Sequence, residues 1–453
     1  MKCFYNLVRV TVLLVLAITG LAPAAALAQA DRKFPEQAEA LLKDYVQDEL
    51  FTGTVLVARN GKPIFRKGYG AANREWTIPN AIDTRYRIGS ITKQFTSAAI
   101  LRMVDEGKLG LDDPIKKYLP GLPASWEQAT IRQLLSHTSG IPSHTSLENS
   151  DTKMWPVKHT PRELIDLLKG LPLNYEHGAK FRYNNMGFVL LGHLIETVSG
   201  MSYLDYLEQK LLKPLKLHNS GYDDGRKLVA RMAQDYSDGP DDVLKGRFFH
   251  MSNAHAAGAM YSTVDDLLAW QQMLINGKVL SPASLKAMLT DGGHRNGLGW
   301  FLRERLSRTL YEHGGSVGGY STLLVYYPDD KVTVIILSNY GDEVVSKISD
   351  ELARLALGVP QAHRQVKVDP RLYSRFEGKY QLGSATLAVT AKGERLFAKL
   401  TGQRQLEILP ESNYSYFYKA VDVGVMFNQD ASGKIDSVTV SQDGSKTTGK
   451  RLD

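Results

Sequence analysis

Cysteine is almost absent from this 453-residue chain, which contains only Cys3. Cys3 stands within the first 30 residues, where the pattern described below predicts a cleavable signal peptide. The mature chain would then have no disulfide, no thiolate nucleophile and no metal held by cysteine. Its stability would come mainly from burial of an apolar core, for which the chain is long enough.

Clustered positive charge is also missing. The formal net charge is +7, yet it is spread along the chain, and no run of five or more basic residues occurs. Binding of nucleic acid would need a clustered basic patch or a recognition motif. We therefore expect no nucleic-acid partner.

Patterns that hold metals are missing as well. Several histidines are scattered along the chain without the spacing of metal ligands, and we interpret them as structural or exposed: His137, His144, His250, His255 and His294. We therefore expect no metal and no other cofactor.

Long apolar runs are absent after residue 30, where no segment has the about 18 uninterrupted apolar residues of a membrane-spanning helix. Within residues 1–30, a short basic segment precedes an apolar core at Val10 to Ile18, and the small residues Ala26-Leu27-Ala28 follow. This order predicts a secretory signal peptide. The alternative, an uncleaved anchor, fits less well because the apolar run is interrupted. The mature protein is expected to be periplasmic or secreted, with no stable membrane insertion after cleavage.

Strand patterns occur at both ends of one long unit. Two β-rich runs, Thr52 to Ala58 and Pro63 to Tyr69, meet at Asn60-Gly61, which tolerates the positive φ of a type I′ turn. Helical patterns follow, and strand patterns return between Gly297 and Leu337, before a last helix at Asp342 to Leu357. Strands from both ends with helices between them predict an α+β fold around one antiparallel sheet.

A second domain is predicted after this unit. Gly358 to Pro370 lacks a regular pattern, and we place a linker at residues 361–372, between a domain at 31–360 and another at 373–453. The last region shows seven or eight short alternating runs separated by turn signals such as Lys392-Gly393. This pattern predicts a small antiparallel β-barrel or sandwich.

The spacing Ser-x-x-Lys occurs twice, at Ser90 to Lys93 and at Ser150 to Lys153. Residues three apart on a helix are neighbours, so Lys93 can reach the Ser90 hydroxyl at a helix N-terminus whose free N–H groups favour an oxyanion. Apolar neighbours indicate burial, which lowers the pKa of a lysine. The alternative is a helix cap followed by a surface lysine. Ser150 lies in a polar stretch that we interpret as a loop.

Tyr183-Asn184-Asn185 precedes a helical pattern that starts near Met186. The Tyr183 phenol could relay a proton, and the Asn185 amide could bind a substrate carbonyl. Alternatively, Asn185 caps the helix and Tyr183 packs beside it.

His313-Gly314-Gly315-Ser316 ends a strand pattern. The two glycines would let a substrate lie close against the strand backbone, as in β-augmentation. The alternative is a glycine-rich turn without a binding role.

In this order, the three motifs resemble those of the penicillin-recognising serine hydrolases. Tyr-x-Asn in the second motif is similar to class C β-lactamases and to related DD-peptidases and esterases. Three further stretches look like the same family: Leu134 to Pro142, Ala256 to Trp270 and Gly297 to Trp300. The resemblance covers Phe34 to Gly358 and implies a β-lactamase/transpeptidase-like fold. The last domain resembles the lipocalin-like β-domain appended to some of these enzymes.

The resemblance implies an acyl-enzyme on Ser90, formed from a small-molecule or peptide substrate with a scissile carbonyl. Lys93 and Tyr183 would share the proton transfers, and which of them is the base stays open. Backbone N–H groups of Ser90 and Ser316 would form the oxyanion hole. The substrate-binding residues would be Asn185, His313, Gly314, Gly315 and Ser316. The oligomeric state is not implied.

The third motif departs from the family pattern because it begins with His313, where β-lactamases and DD-peptidases usually have lysine. A histidine facing the cleft would change its charge near pH 6.5. This favours an esterase, D-aminopeptidase or DD-peptidase-like activity over strong β-lactamase activity. The alternative from another class is a non-catalytic envelope protein that binds penicillin or peptidoglycan.

Overall fold

A computed structural model describes residues 31–453, apart from 240–241, 342–343, 404, 420, 443–444 and 453. The predicted signal peptide, residues 1–30, lies outside the described residues, as does Cys3. Among the helices of the described ranges, none is long and apolar enough to cross a membrane.

An antiparallel sheet of six strands forms the centre of the first domain. In spatial order, its strands are β3 (Phe301–Arg305), β4 (Arg308–Val317), β5 (Tyr320–Tyr327), β6 (Val332–Ser338), β1 (Gly53–Arg59) and β2 (Lys62–Tyr69). The predicted turn joins β1 to β2, with φ of +52° at Asn60 and +72° at Gly61. Strands from both ends of the domain therefore meet in one sheet, as the α+β prediction required.

Strand β3 begins later than the sequence predicted. We expected a strand from Gly297, but residues Gly297 to Trp300 form a tight turn in which the Gly297 N–H donates to the Trp300 carbonyl at 2.9 Å. Gly299 in this turn has φ of +80°. Its missing side chain matters because an added Cβ would lie 2.4 Å from Ser97 Oγ and 2.8 Å from the Lys93 carbonyl.

Helices cover both faces of the sheet. One face packs on α1 (residues 31–47) and α4 (Val344–Leu357), and the other on the region that contains α2 (Thr92–Asp105) and α3 (Asn185–Ser199). The other α-helices described in this domain are Ile131–Leu135, Ser150–Lys153, Pro161–Leu168, Tyr203–Tyr206, His255–Gly258, Val264–Ile275 and Pro282–Met288. A π-helix spans Leu207–Leu212. Short strands lie at Ala71–Asn73, Ile78–Pro79, Tyr86–Arg87, Gly221–Tyr222, Tyr236–Asp238, Val243–Lys245 and Met260–Ser262.

Strand β1 shows why this arrangement is stable. Val55 and Val57 point into the core under α1 and α4, whereas Leu56 and Ala58 point into the core that contains α2 and α3. All four side chains are fully buried. The strand lacks the polar face of an exposed sheet because both of its faces are covered.

The second domain is a closed antiparallel barrel of eight strands, so the barrel alternative is correct. Its strands β7 to β14 are Gly378–Leu382, Ala385–Lys392, Arg395–Leu400, Leu406–Pro410, Ser415–Tyr418, Val423–Gln429, Ile435–Gln442 and Ser445–Arg451. Closure occurs where Tyr380 pairs with Arg451. A short helix, Tyr373–Phe376, leads into the barrel, and the Phe376 ring stacks on Phe427 with centroids 4.4 Å apart. Side chains fill the interior.

Polar contacts join the barrel to the first domain. The Tyr45 hydroxyl of α1 donates to the Lys419 carbonyl at 3.0 Å, and Arg395 of β9 lies 2.7 Å from Asp48. In the irregular segment between the domains, the His363 ring stacks on Phe417 at 4.6 Å. These contacts orient the barrel on the α1 side of the sheet.

Candidate active site

Ser90 lies in a tight turn that leads directly into α2. Residues Gly89–Ile91 form a 3-10 turn, and the α-helix begins at Thr92. We expected the α-helix to begin at Ser90, but Ser90 lies in the 3-10 turn that precedes it. This turn starts at Gly89, which has φ of +50°. Ser90 remains at the positive end of the helix, half-buried and beside a cavity.

Lys93 is completely buried next to Ser90. Its Nζ lies 3.0 Å from Ser90 Oγ, 2.9 Å from Asn185 Oδ1 and 2.7 Å from the Ala257 carbonyl oxygen. Burial disfavours the ammonium form and holds the pKa of Lys93 well below its usual value. A neutral amine has two hydrogens, which the two carbonyl-type oxygens accept. Its lone pair is then left for the Ser90 proton.

Asn185 holds Lys93 from the start of α3. Its amide nitrogen donates to Thr145 Oγ1 at 3.1 Å, so its oxygen faces Lys93. The helix is capped instead by Asn184, whose Oδ1 accepts from the Gly187 N–H at 3.0 Å. The simple capping alternative for Asn185 is therefore wrong, because its side chain binds Lys93 and Thr145 instead.

Tyr183 packs over Lys93, whose Nζ lies 4.8 Å from the centre of the phenol ring. Burial raises the pKa of the Tyr183 hydroxyl, and a hydrogen-bonding interaction with Ser90 opposes this only in part. The phenol is therefore kept protonated, as a proton donor needs to be.

His137 supports Tyr183 from behind, with ring centroids 4.5 Å apart. Its Nδ1 accepts the Asn184 backbone N–H at 3.1 Å, which fixes the turn before α3. Burial holds the pKa of His137 well below its usual value, so the ring is neutral. We interpreted this histidine only as structural or exposed; it is structural, and it contacts a candidate catalytic residue.

The end of β4 lies against the turn that carries Ser90. An added Cβ on Gly89 would lie 2.8 Å from Ser316 N, and one on Gly315 would lie 2.0 Å from the Ile88 carbonyl oxygen. The glycines thus allow two backbones to approach closely. They place Ser316 N against Gly89, the residue before Ser90, and Ser90 and Ser316 line the same cavity.

The same strand also offers a free edge. Strands β3 and β4 pair over five positions, from Arg305 opposite Arg308 to Phe301 opposite Glu312. Within the described residues, β4 has no strand partner on this side from residue 313 to residue 317. A substrate backbone could pair with this edge.

His313 does not behave as the sequence led us to expect. Its ring is buried, and Nδ1 lies 2.6 Å from the Gly314 carbonyl oxygen, which can only accept a hydrogen. Burial, with a smaller effect of Lys93, lowers the pKa of His313 to about 3. The prediction that His313 changes its charge near pH 6.5 is therefore wrong. The ring packs against Phe301, with centroids 4.9 Å apart, and is shielded from water.

A cavity of about 210 Å³ opens beside Ser90. Trp155 and Phe249, whose ring centroids are 5.5 Å apart, line the cavity together with Asn253 and with residues of the helix at His255–Gly258. In the part of the chain that the structure describes, no charged side chain lines this cavity. The cavity suits an uncharged group next to a carbonyl.

The two Ser-x-x-Lys pairs of the sequence have different surroundings in the structure. Ser150 and Lys153 lie in a one-turn helix, so our loop interpretation is wrong in detail. Ser150 is nearly buried, whereas Lys153 is exposed and lacks the burial that lowers the Lys93 pKa. Only the Ser90 pair combines a buried lysine with a hydroxyl.

Sequence reasoning missed three partners of the site: the Ala257 carbonyl, the Thr145 hydroxyl and the His137 ring. Ala257 and His137 lie in two of the stretches that resemble the family, but nothing in those stretches indicated a contact with Lys93 or Tyr183. Thr145 carried no signal at all. No group of three or more His, Cys, Asp or Glu side chains in the described ranges is placed to hold a metal ion.

Comparisons with known proteins find a matching family model and similar sequences and folds. A family model described as Beta-lactamase matches residues 38–358. Penicillin-binding protein 4* of Bacillus subtilis is 29% identical over 432 residues, covering 87% of this chain and 94% of that protein. The fold is similar to an octameric penicillin-binding protein homologue from Pyrococcus abyssi (26% identity, TM-score 0.68, 91% of this chain and 99% of that one). It is also similar to a D-stereospecific amidohydrolase from Streptomyces sp. (28% identity, TM-score 0.60, 71% and 99%).

Proposed function

The chain belongs to the Beta-lactamase family of serine hydrolases, and from this premise we propose that it hydrolyses esters or amides through an acyl-enzyme on Ser90. The observation that carries the proposal is the buried Lys93, 3.0 Å from the Ser90 hydroxyl. Burial in the folded protein favours the neutral amine, which is the form that acts as a base.

Acylation would begin when Lys93 accepts the Ser90 proton and Oγ bonds to the substrate carbonyl carbon. The oxygen that becomes negative would face the backbone N–H groups of Ser90 and Ser316. As the bond to the leaving group breaks, its oxygen or nitrogen takes a proton from Tyr183. The proton on Lys93 then restores the phenol.

These roles of Lys93 and Tyr183 are supported by the opposite effects of burial on their pKa values. The pKa of Lys93 is lowered and that of Tyr183 is raised, so each group favours its neutral form. A neutral amine is the base and a neutral phenol is the acid of the resting site. Deacylation would repeat the sequence with water in place of Ser90.

The favoured substrate is uncharged near its scissile carbonyl. Support comes from the neutral His313 and from the cavity beside Ser90, whose described lining carries no charge. A substrate carboxylate buried there would lack a partner, which is costly. Short esters and amides whose neighbouring amine is acylated are therefore better candidates than anionic β-lactams, and the name of the Streptomyces relative, an amidohydrolase, supports the amides.

We further propose that the mature enzyme is exported, on the strength of the signal-peptide pattern in residues 1–30. N-terminal sequencing of the envelope fraction should find a start near Gln29 or Asp31. An intact Met1 on a membrane-bound protein would contradict this proposal.

A fluorophosphonate probe tests the proposed nucleophile. The wild type and Ser150→Ala should be labelled alike, and Ser90→Ala should be neither labelled nor active. Labelling that survives Ser90→Ala would refute the assignment. Labelling of Ser90 without turnover of any ester, amide or lactam would favour a penicillin- or peptidoglycan-binding protein instead.

A further inference from the structure

A buried carboxylate holds the turn that follows the candidate oxyanion-hole residue. Val317 to Tyr320 connects β4 to β5, directly after Ser316. Asp235 comes from a distant segment, is only 8% exposed, and its Oδ2 accepts the Gly319 N–H at 2.7 Å. This hydrogen bond is charge-assisted and therefore stronger than one between neutral groups.

Glycine backbone lies close to Oδ2 of this carboxylate, and the Gln234 side-chain amide donates to its other oxygen, Oδ1, at 3.0 Å. An added Cβ would lie 1.9 Å from Asp235 Oδ2 at Gly246 and 2.5 Å from it at Gly318. The Gly246 N–H also donates to the Asp235 carbonyl at 2.9 Å. Two glycines thus leave the space that the carboxylate fills, and the carboxylate supplies rigidity that a Gly318-Gly319 turn lacks by itself.

The carboxylate is also linked to the segment that carries Ser90. Arg87 lies three residues before Ser90. Its guanidinium forms an ion pair with Asp223 at 2.8 Å and lies 5.8 Å from the centre of the Tyr320 ring. It also interacts electrostatically with Asp235. Asp235 therefore anchors the segment after Ser316 by a direct hydrogen bond, and its charge also acts on Arg87 in the segment before Ser90.

We propose that Asp235 is a positioning residue, which sets the Ser316 N–H relative to Ser90 for stabilisation of the tetrahedral intermediate. This inference rests on the proposed acylation of Ser90. Oxyanion donors act only if they are fixed before the reaction. Loss of the anchor would affect the transition state more than it affects the bound substrate.

The test compares Asp235→Ala and Asp235→Asn with Asp266→Ala. Asp266 is a matched control, since it is also 8% exposed and accepts a backbone N–H, from Asn219 at 2.8 Å. Each variant is assayed with a short-chain ester, with rates normalised to the fraction of protein that takes up fluorophosphonate. A boronic acid serves as a mimic of the tetrahedral intermediate.

Asp235→Ala should lower kcat about 10²-fold with KM changed less than about threefold, and should weaken boronate binding by a factor similar to the loss in kcat/KM. Asp235→Asn should recover part of the loss, because an amide oxygen still accepts the Gly319 N–H. Asp266→Ala should lose thermal stability but keep kcat. Thermal midpoints establish that each variant is folded, and Asp235→Asn keeps the test decisive if the alanine variant does not fold.

Two results would overturn the inference. One is a kcat for Asp235→Ala, or for Asp235→Asn if only that variant folds, no lower than that of Asp266→Ala. The other is a change confined to KM, with boronate binding unaltered. A wild type that forms no adduct on Ser90 would contradict the proposed function itself, and this inference with it.

Discussion

Replacing Gly315 by alanine tests the close approach of two backbones on which the candidate site depends. The new Cβ would lie 2.0 Å from the Ile88 carbonyl oxygen and 2.6 Å from Thr322 Oγ1. Ordinary contacts of a Cβ are 3.4–4 Å, so one backbone must move by about 1 Å or more. Neither neighbour yields easily, because Thr322 Oγ1 itself donates to the Ile88 carbonyl at 3.0 Å.

A shift of this size would separate the Ser316 N–H from Ser90. Misplacement of reacting groups by about 1 Å costs on the order of 10² in rate, or about 2.7 kcal/mol in the barrier to acylation. We expect Gly315→Ala to lower the second-order rate of fluorophosphonate labelling by about this factor while the fold is kept.

Gly314→Ala is the matched control in the same strand. Its Cβ would be 3.4 Å from the Thr322 carbonyl oxygen and 3.7 Å from Leu323 Cδ1, which are ordinary contacts. Its labelling rate should fall by no more than about tenfold. The reasoning is refuted if Gly315→Ala is labelled at nearly the wild-type rate, or if the two variants lose equally while near-ultraviolet circular dichroism shows both folded.

Three further predictions concern acid stability, the base and the barrel. Because the His313 pKa is about 3 in the folded protein and about 6.5 when unfolded, the unfolded chain takes up a proton that the folded one excludes. As the pH is lowered from about 6.5 towards 3, the free energy of unfolding should therefore decrease by up to about 1.4 kcal/mol per pH unit because of His313. Urea titrations should show a smaller dependence on pH for His313→Gln than for the wild type. An equal dependence would argue against burial of a neutral ring. Lys93→Ala should slow ester turnover at least about 10²-fold; a near-normal rate would exclude proton transfer by this residue. A chain that ends at Gly358 should remain soluble and label at Ser90, since Leu406 and Val421 of the barrel are only partly buried against the core under α1 and α4, and the barrel's other contacts with α1 described above are polar. An unfolded product would show one cooperative core.

The parts of the site that are close in sequence could be predicted. Ser90 and Lys93 are neighbours on one helical turn, so their contact follows from spacing alone. The Asn60-Gly61 turn is equally local, and the structure contains it.

Features that depend on distant contacts could not be predicted. The pKa of His313 is set by the segments that bury its ring, including Phe301 of the neighbouring strand. The Ala257 carbonyl accepts a hydrogen bond from Lys93, although the two residues are 164 positions apart in the sequence. A contact of a backbone oxygen leaves no signal in a pattern of side chains. The sequence did not decide whether Asn185 caps the helix or binds within the site, and the structure shows that Asn184 is the cap.

Mass spectrometry of the acyl-enzyme is the most direct test of the central claim. The wild type is mixed with a short-chain ester or a penicillin, quenched in acid within the first turnover, and digested. The account predicts one added acyl group, on the peptide that contains Ser90, and none in Ser90→Ala. An acyl group on another residue, or turnover by Ser90→Ala at the wild-type rate, would contradict it.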